Sequence, residues 1–259
     1  MQNTLEFTDL LRLIDERSSA FRAVVASAPD LDVQVPSCPD WTLADLVQHL
    51  GGGDRFWAAI VGAGPADGPP AEAAAARAAL VVPREREALV AWLEESTRQL
   101  LDALRKAGPD GGCWAWWEEL QSPLTAGTVA RHRVQESAVH THDAQLALGG
   151  PKPLPDVVAL DGVEEFLTTC VATVSPWPHE PAALDFRTTE GPAWRLTLDG
   201  SGARAARLPL PAGTAAEAGV LGTASELILF LYNRITADSL RVDGDAVLFD
   251  RLRDWDPQA

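Results

Sequence analysis

Three of the chain's five histidines fall between His132 and His142. The segment reads HRVQESAVHTHDAQLALGG, and on a helix Glu136 and His140, at i and i+4, share one face one turn apart. Side chains placed in this way can reach one metal ion, as in ligand sites built inside helix bundles. His49, in DWTLADLVQHL, is the histidine of the helix expected there, and an antiparallel bundle can set it opposite the Glu136–His140 pair. Two neutral imidazoles and a carboxylate suit zinc or a similar first-row ion. Three protein ligands leave a coordination position open, which is the pattern of catalytic sites. The spacing alone also admits a plain alternative, a solvated Glu–His pair on a helix surface.

The other candidates divide by position. His132 lies one turn before Glu136 on the same face, a fourth ligand or a group behind the ligands. His142 is two residues past His140, about 200° around the helix, and points elsewhere. His179 sits in the proline-rich loop PWPHEP and is expected to be exposed. Cys38, Cys113 and Cys170 form neither a CxxC pair nor a disulfide framework, so buried or semi-buried thiols are expected, with Cys38 in SCPDW the one nearest to a helix start. Trp41 and Trp57 read as core or staple residues, and Trp114, Trp116 and Trp117 as loop residues that alternate faces and pack.

The elements that must position these groups are legible from periodicity. Residues 5–28 carry a helical apolar stripe closed by Pro29, and LDVQVPSCPD is a loop or short extended piece because of Pro36 and Pro39. Thr42 with Asp45 forms a capping-box variant that starts a second helix. Gly51, Gly52 and Gly53 interrupt its apolar face, so a bend or loosening is expected there. The Gly-, Pro- and Ala-rich stretch 62–79 reads as a surface connection. Residues 85–107 and about 125–148 are two more helices, the last stopped by Gly149, Gly150 and Pro151.

Four long helices before residue 150 predict a mainly α, four-helix bundle over 1–150. Beyond it the pattern changes. Helix is expected near 161–174, at 223–235 and at 247–254, and strands at ALDFRTT, WRLTLD and ARAARLPL. A smaller α+β domain over 151–259 follows.

Composition bounds the function. The 259 residues are 46% hydrophobic and 22% charged, within the globular range. The formal net charge of −16 repels phosphate backbones and anionic lipid, which argues against nucleic-acid or membrane partners. An anionic substrate would therefore need a local basic group. The acidic, amphipathic N-terminus does not read as a signal peptide, and a cytoplasmic enzyme is expected.

Two motifs, CPDWTLADLVQHLGGGDRFW and RVQESAVHTHDAQLALG, together with the weaker LILFLYNR, resemble the mycothiol-dependent maleylpyruvate isomerase family, part of a broader DinB-like group of metal-binding bundles. The resemblance implies that His49, Glu136 and His140 are metal ligands. It implies that Asp143, three residues after the second ligand histidine, orients a ligand or contacts the thiol cofactor. Arg234 falls on the arginine that closes the C-terminal helix and would hold a substrate carboxylate. Two positions depart from the family pattern: His142 stands where tryptophan is common, and Asn233 where glycine is usual. The implied cofactors are a divalent metal, zinc first with nickel, cobalt, manganese or iron as alternatives, and mycothiol. The implied activity is cis–trans isomerisation of a maleylpyruvate-like electrophile or mycothiol S-transfer, by a monomer or homodimer. Metal-dependent hydrolysis and a non-catalytic metal-binding or regulatory role are the alternatives.

Overall fold

The computed structural model describes residues 5–71, 73–74, 81–117, 121–209 and 215–255. The chain divides into two compact units, Met1–Trp116 with Leu124–Leu154, and Trp117–Pro123 with Pro155–Ala259.

The first unit is the helical bundle. Its long helices are α1 (Phe7–Ser27), α2 (Leu43–Ala63), α3 (Arg86–Ala107) and α4 (Ala126–Ala147), with the short antiparallel strands β1 (Gln34–Val35) and β2 (Cys38–Thr42) leading into α2. Helix α1 packs against α3 and α4, and α2 packs against the same two. Phe21, Val25, Leu43, Leu46, Val47, Leu50, Leu89 and Leu93 form one buried cluster. Burial of this apolar surface is the main force holding the helices together.

The expected capping box is present. The Thr42 side chain accepts from the Asp45 N–H, and the Asp45 carboxylate accepts from the Thr42 N–H. Helix α2 continues through its glycines from Leu43 to Ala63. They serve close packing. A Cβ on Gly51 would collide with the Trp92 indole of α3, and one on Gly53 would lie 3.1 Å from Nη1 of Arg133 on α4. Arg55 completes the α2–α3 seam, its guanidinium 5.2 Å from the Trp92 ring centre. Of the connection at 62–79, residues 72 and 75–79 lie outside the described residues.

The α4 helix has an unusual interior. His132, Arg133, Gln135, Ser137, His140, Thr141 and Asp143 are all buried, beside apolar Val129, Val134 and Val139. Buried polar groups are costly unless hydrogen-bonded. A helix that buries so many of them marks the part of the bundle where packing is not the only requirement.

The second unit contains α5 (Asp156–Glu165), continued by a π-helical turn (Phe166–Val171), and a five-stranded sheet. Its strands are β3 (Ala182–Thr188), β4 (Ala193–Asp199), β5 (Gly202–Arg207), β6 (Ala218–Gly222) and β7 (Arg241–Gly244), in the order β5-β4-β3-β6-β7. The β3–β6 pair is parallel and the other pairs are antiparallel. Helix α6 (Ala224–Leu231) packs on α5, and α7 (Val247–Asp254) brings Phe249 against Phe186 and Phe230.

Several expected boundaries shift. The helix expected near 161–174 starts earlier, at Asp156, after Pro155. The third expected strand ends at Arg207, ahead of Leu208 and Pro209; Leu210 lies outside the described residues. The helix expected over 223–235 ends at Leu231. A Schellman arrangement stops it: Asn233 N–H donates to the Phe230 carbonyl at 2.9 Å and Arg234 N–H to that of Leu229 at 2.7 Å. Asn233 takes φ +60°, the left-handed conformation that glycine and asparagine tolerate best.

Candidate metal centre

His49 projects from the second turn of α2, whose start is fixed by the Thr42–Asp45 box. Glu136 and His140 project one turn apart from α4, and the two helices pack on each other. One donor atom from each of His49, Glu136 and His140 lies within 4.8 Å of the others. Nε2 of His49 is 3.3 Å from Oε2 of Glu136, and Nε2 of His140 is 3.8 Å from the same oxygen. Ligand bonds of ~2.0–2.2 Å around a tetrahedral ion set donor atoms about 3.3–3.6 Å apart. The His49–Glu136 separation fits that requirement and the His140–Glu136 separation exceeds it by about 0.2 Å, and the donor set is one that zinc and its neighbours favour.

The surroundings prepare the donors. Burial lowers the affinity of His49 for a proton, and this outweighs the opposing hydrogen bond to Glu136. The ring is therefore neutral near pH 7, the form that binds metals. Burial pushes the Glu136 carboxyl up, but the hydrogen bond from His49 and the charges of His140, His132 and Arg133 bring it well below the ordinary carboxylate value. Glu136 is thus an anion at neutral pH.

Asp143 supports His140 from behind. Its carboxylate is fully buried, with Oδ2 2.8 Å from Nδ1 of His140 and Oδ1 accepting from the Ser37 hydroxyl at 2.6 Å. A carboxylate only accepts, so Nδ1 carries a proton, and in the neutral, metal-binding form of the ring Nε2 is the lone-pair nitrogen that faces Glu136. Trp41 forms a wall, its indole 4.8 Å from the His49 ring and 6.2 Å from that of His140.

The remaining candidates fall elsewhere. His132 is buried beside the rings of Trp57 and Trp116, at 6.3 and 5.6 Å. His142 turns away, its Nδ1 2.8 Å from the Lys152 carbonyl oxygen. His179 belongs to the second unit, against Trp177. Cys38 is closer to the site than its neighbours in sequence suggested, with Sγ 4.0 Å from Oδ2 of Asp143. Burial pushes the Cys113 thiol up to about 11, which makes it inert at neutral pH. Arg234 lies in the second unit, just past α6, where its Nη1 donates to the Tyr232 carbonyl at 2.6 Å.

Sequence reasoning missed Ser37, Arg133 and Asp54, whereas Trp41 packs against the core as expected while also bordering the two imidazoles. Arg133 carried a signal: a fully ionised side chain one turn from Glu136 on the same face as the ligands. The others come into place only through the β1–β2 turn and the α2–α4 packing.

Comparison with known proteins agrees with this architecture. The family model described as the mycothiol maleylpyruvate isomerase N-terminal domain matches residues 11–145, and the MDMPI C-terminal domain matches 157–251. Among curated proteins no sequence matches. Two crystal structures of the mycothiol-dependent maleylpyruvate isomerase are similar in fold. A histidine-to-alanine mutant gives TM-score 0.60 at 15% identity, and another structure gives 0.56 at 16%; each comparison covers 92% of this chain and 93% of the other.

Proposed function

The chain belongs to the mycothiol maleylpyruvate isomerase family, and on that premise we propose that it is a metal-dependent enzyme with mycothiol as its thiol nucleophile. The observation that carries the metal is the convergence of His49, Glu136 and His140 donor atoms within 4.8 Å of one another. These three would hold the ion, which when bound keeps a coordinated thiol deprotonated near neutral pH.

Each residue then has a task of its own. Ionised Glu136 supplies a donor directly, and neutral His49 does so in the tautomer that carries its proton on Nδ1 and leaves Nε2 free. Asp143 fixes the tautomer of His140, and its complete burial suits that task better than direct contact with the thiol. Trp41 narrows the approach and keeps water from one side of the two imidazoles. Arg234 is proposed to bind the carboxylate of an anionic substrate through its planar fork. In isomerisation the thiolate adds to a double bond conjugated with a carbonyl, the adduct rotates about the resulting single bond, and the thiolate leaves. In S-transfer it stays attached. A hydrolytic version would need a free general base, and the Asp143 oxygens are already engaged by Ser37 and His140.

The test combines metal content with thiol binding. Purified protein should carry a stoichiometric divalent metal that His49→Ala loses, and cobalt-substituted protein should change its visible spectrum on adding mycothiol. Isomerisation of maleylpyruvate, or conjugation of an electrophile, should then depend on mycothiol. Wild-type protein that binds no zinc or cobalt, or a cobalt spectrum indifferent to mycothiol, would overturn the reading.

A further inference from the structure

Behind Glu136 lies a buried ion pair that none of the proposed chemistry uses. Arg133, one helical turn before Glu136, is 2% exposed, and Asp54 on α2 is 3% exposed. Nε and Nη2 of Arg133 donate to Oδ1 of Asp54 at 3.2 and 2.9 Å, and Nη2 also donates to the Leu50 carbonyl at 3.3 Å. The second Asp54 oxygen accepts from the Thr97 hydroxyl of α3 at 2.9 Å. The one guanidinium nitrogen outside this set, Nη1, stands 3.6 Å from Oε2 of Glu136. That is the same oxygen that faces both histidines.

We propose that Asp54 and Arg133 are positioning residues for the metal ligand Glu136, with Asp54 holding the guanidinium back so that the carboxylate stays free for a cation. The proposal rests on the metal reading above. An arginine cannot be deprotonated in a protein, so Arg133 is a permanent cation beside a ligand anion. Left alone, the two would close to a hydrogen-bonded pair near 2.8 Å and compete with any metal for Oε2. Asp54 instead takes two of the guanidinium N–H groups. Nη1 is then near enough to steady Glu136 by charge and too far to bond it.

Gly53 belongs to the same device. Glycine inside a helix costs stability relative to alanine, yet a Cβ here would press to 3.1 Å from Nη1 and 3.4 Å from Cζ and Nη2 of Arg133. The glycine keeps open the space in which the guanidinium turns toward Asp54.

The test is zinc affinity, measured by competition with a chromophoric chelator, together with the visible spectrum of cobalt-substituted protein. Asp54→Asn should weaken zinc binding about tenfold or more and shift the cobalt spectrum. If Asp54→Asn does not fold, Thr97→Val and Gly53→Ala decide the matter, each weakening zinc binding to a smaller extent. Gly53→Ala is informative because a merely structural glycine would gain helix stability and leave the metal untouched. Folded variants that bind zinc as wild type, with an unchanged cobalt spectrum, would overturn the proposal. Wild-type protein that binds no zinc marks instead a failure of the metal reading itself.

Discussion

Nδ1 of His140 and Oδ2 of Asp143 are 2.8 Å apart, so the imidazole that turns Nε2 toward Glu136 is anchored by a fully buried carboxylate one turn farther along the same helix. Removing that anchor should act on the metal more than on the fold. Asp143→Asn keeps the shape but permits the wrong tautomer of His140. Its zinc affinity, read by chelator competition, should fall by about 10- to 100-fold. A variant with unchanged affinity would show that the contact does not govern the ring.

Acid should destabilise the metal-free protein in two stages. His49 is lowered from its ordinary value of 6.5, so between that value and its folded one the unfolded chain binds more protons, and stability falls as pH drops through this window. Glu136 is lowered well below 4.5, so its contribution persists through mildly acid conditions and is lost only in strong acid. Thermal unfolding of metal-free protein from pH 8 downward tests both, and His49→Gln should remove the first stage.

At the α2–α3 seam, Gly51→Ala should cost about 1–3 kcal/mol in urea unfolding, because the new methyl group meets the Trp92 ring. Combining it with Trp92→Leu should recover part of the loss, a coupling that distant sites do not show.

At the end of α6, Asn233→Gly should be tolerated, whereas Asn233→Ala should cost about 1–2 kcal/mol because φ is +60° there. Denaturant melts of the two variants provide the comparison. Similar losses in both would mean that the asparagine side chain, and not its backbone, matters.

How far the sequence disclosed all this depended on the kind of signal. The α2 start was legible because Thr42 and Asp45 are local, and α3 and α4 because their periods are long. The i, i+4 relation of Glu136 and His140 was likewise written in the chain. Strand β6 was not seen: AGVLG has two glycines, and four of its five residues are buried, so the alternation that betrays a half-buried strand is missing. Strand β7 is four residues long and lies at the sheet edge. The packing role of the α2 glycines was hidden because their partners, Trp92 and Arg133, sit on other helices. Ser37 meets Asp143 across 106 positions, and no local pattern encodes such a contact.

His49 and Glu136 are separated by 87 positions along the chain. No denatured segment presents the three donors together, so a dication seated on them would act as a cross-link available only to the native bundle. By mass action, free ion at a hundredfold excess over its dissociation constant would add about 2.7 kcal/mol to the unfolding free energy. Chelation would then lower the melting temperature of the purified protein, and occupancy could be followed by calorimetry without any substrate.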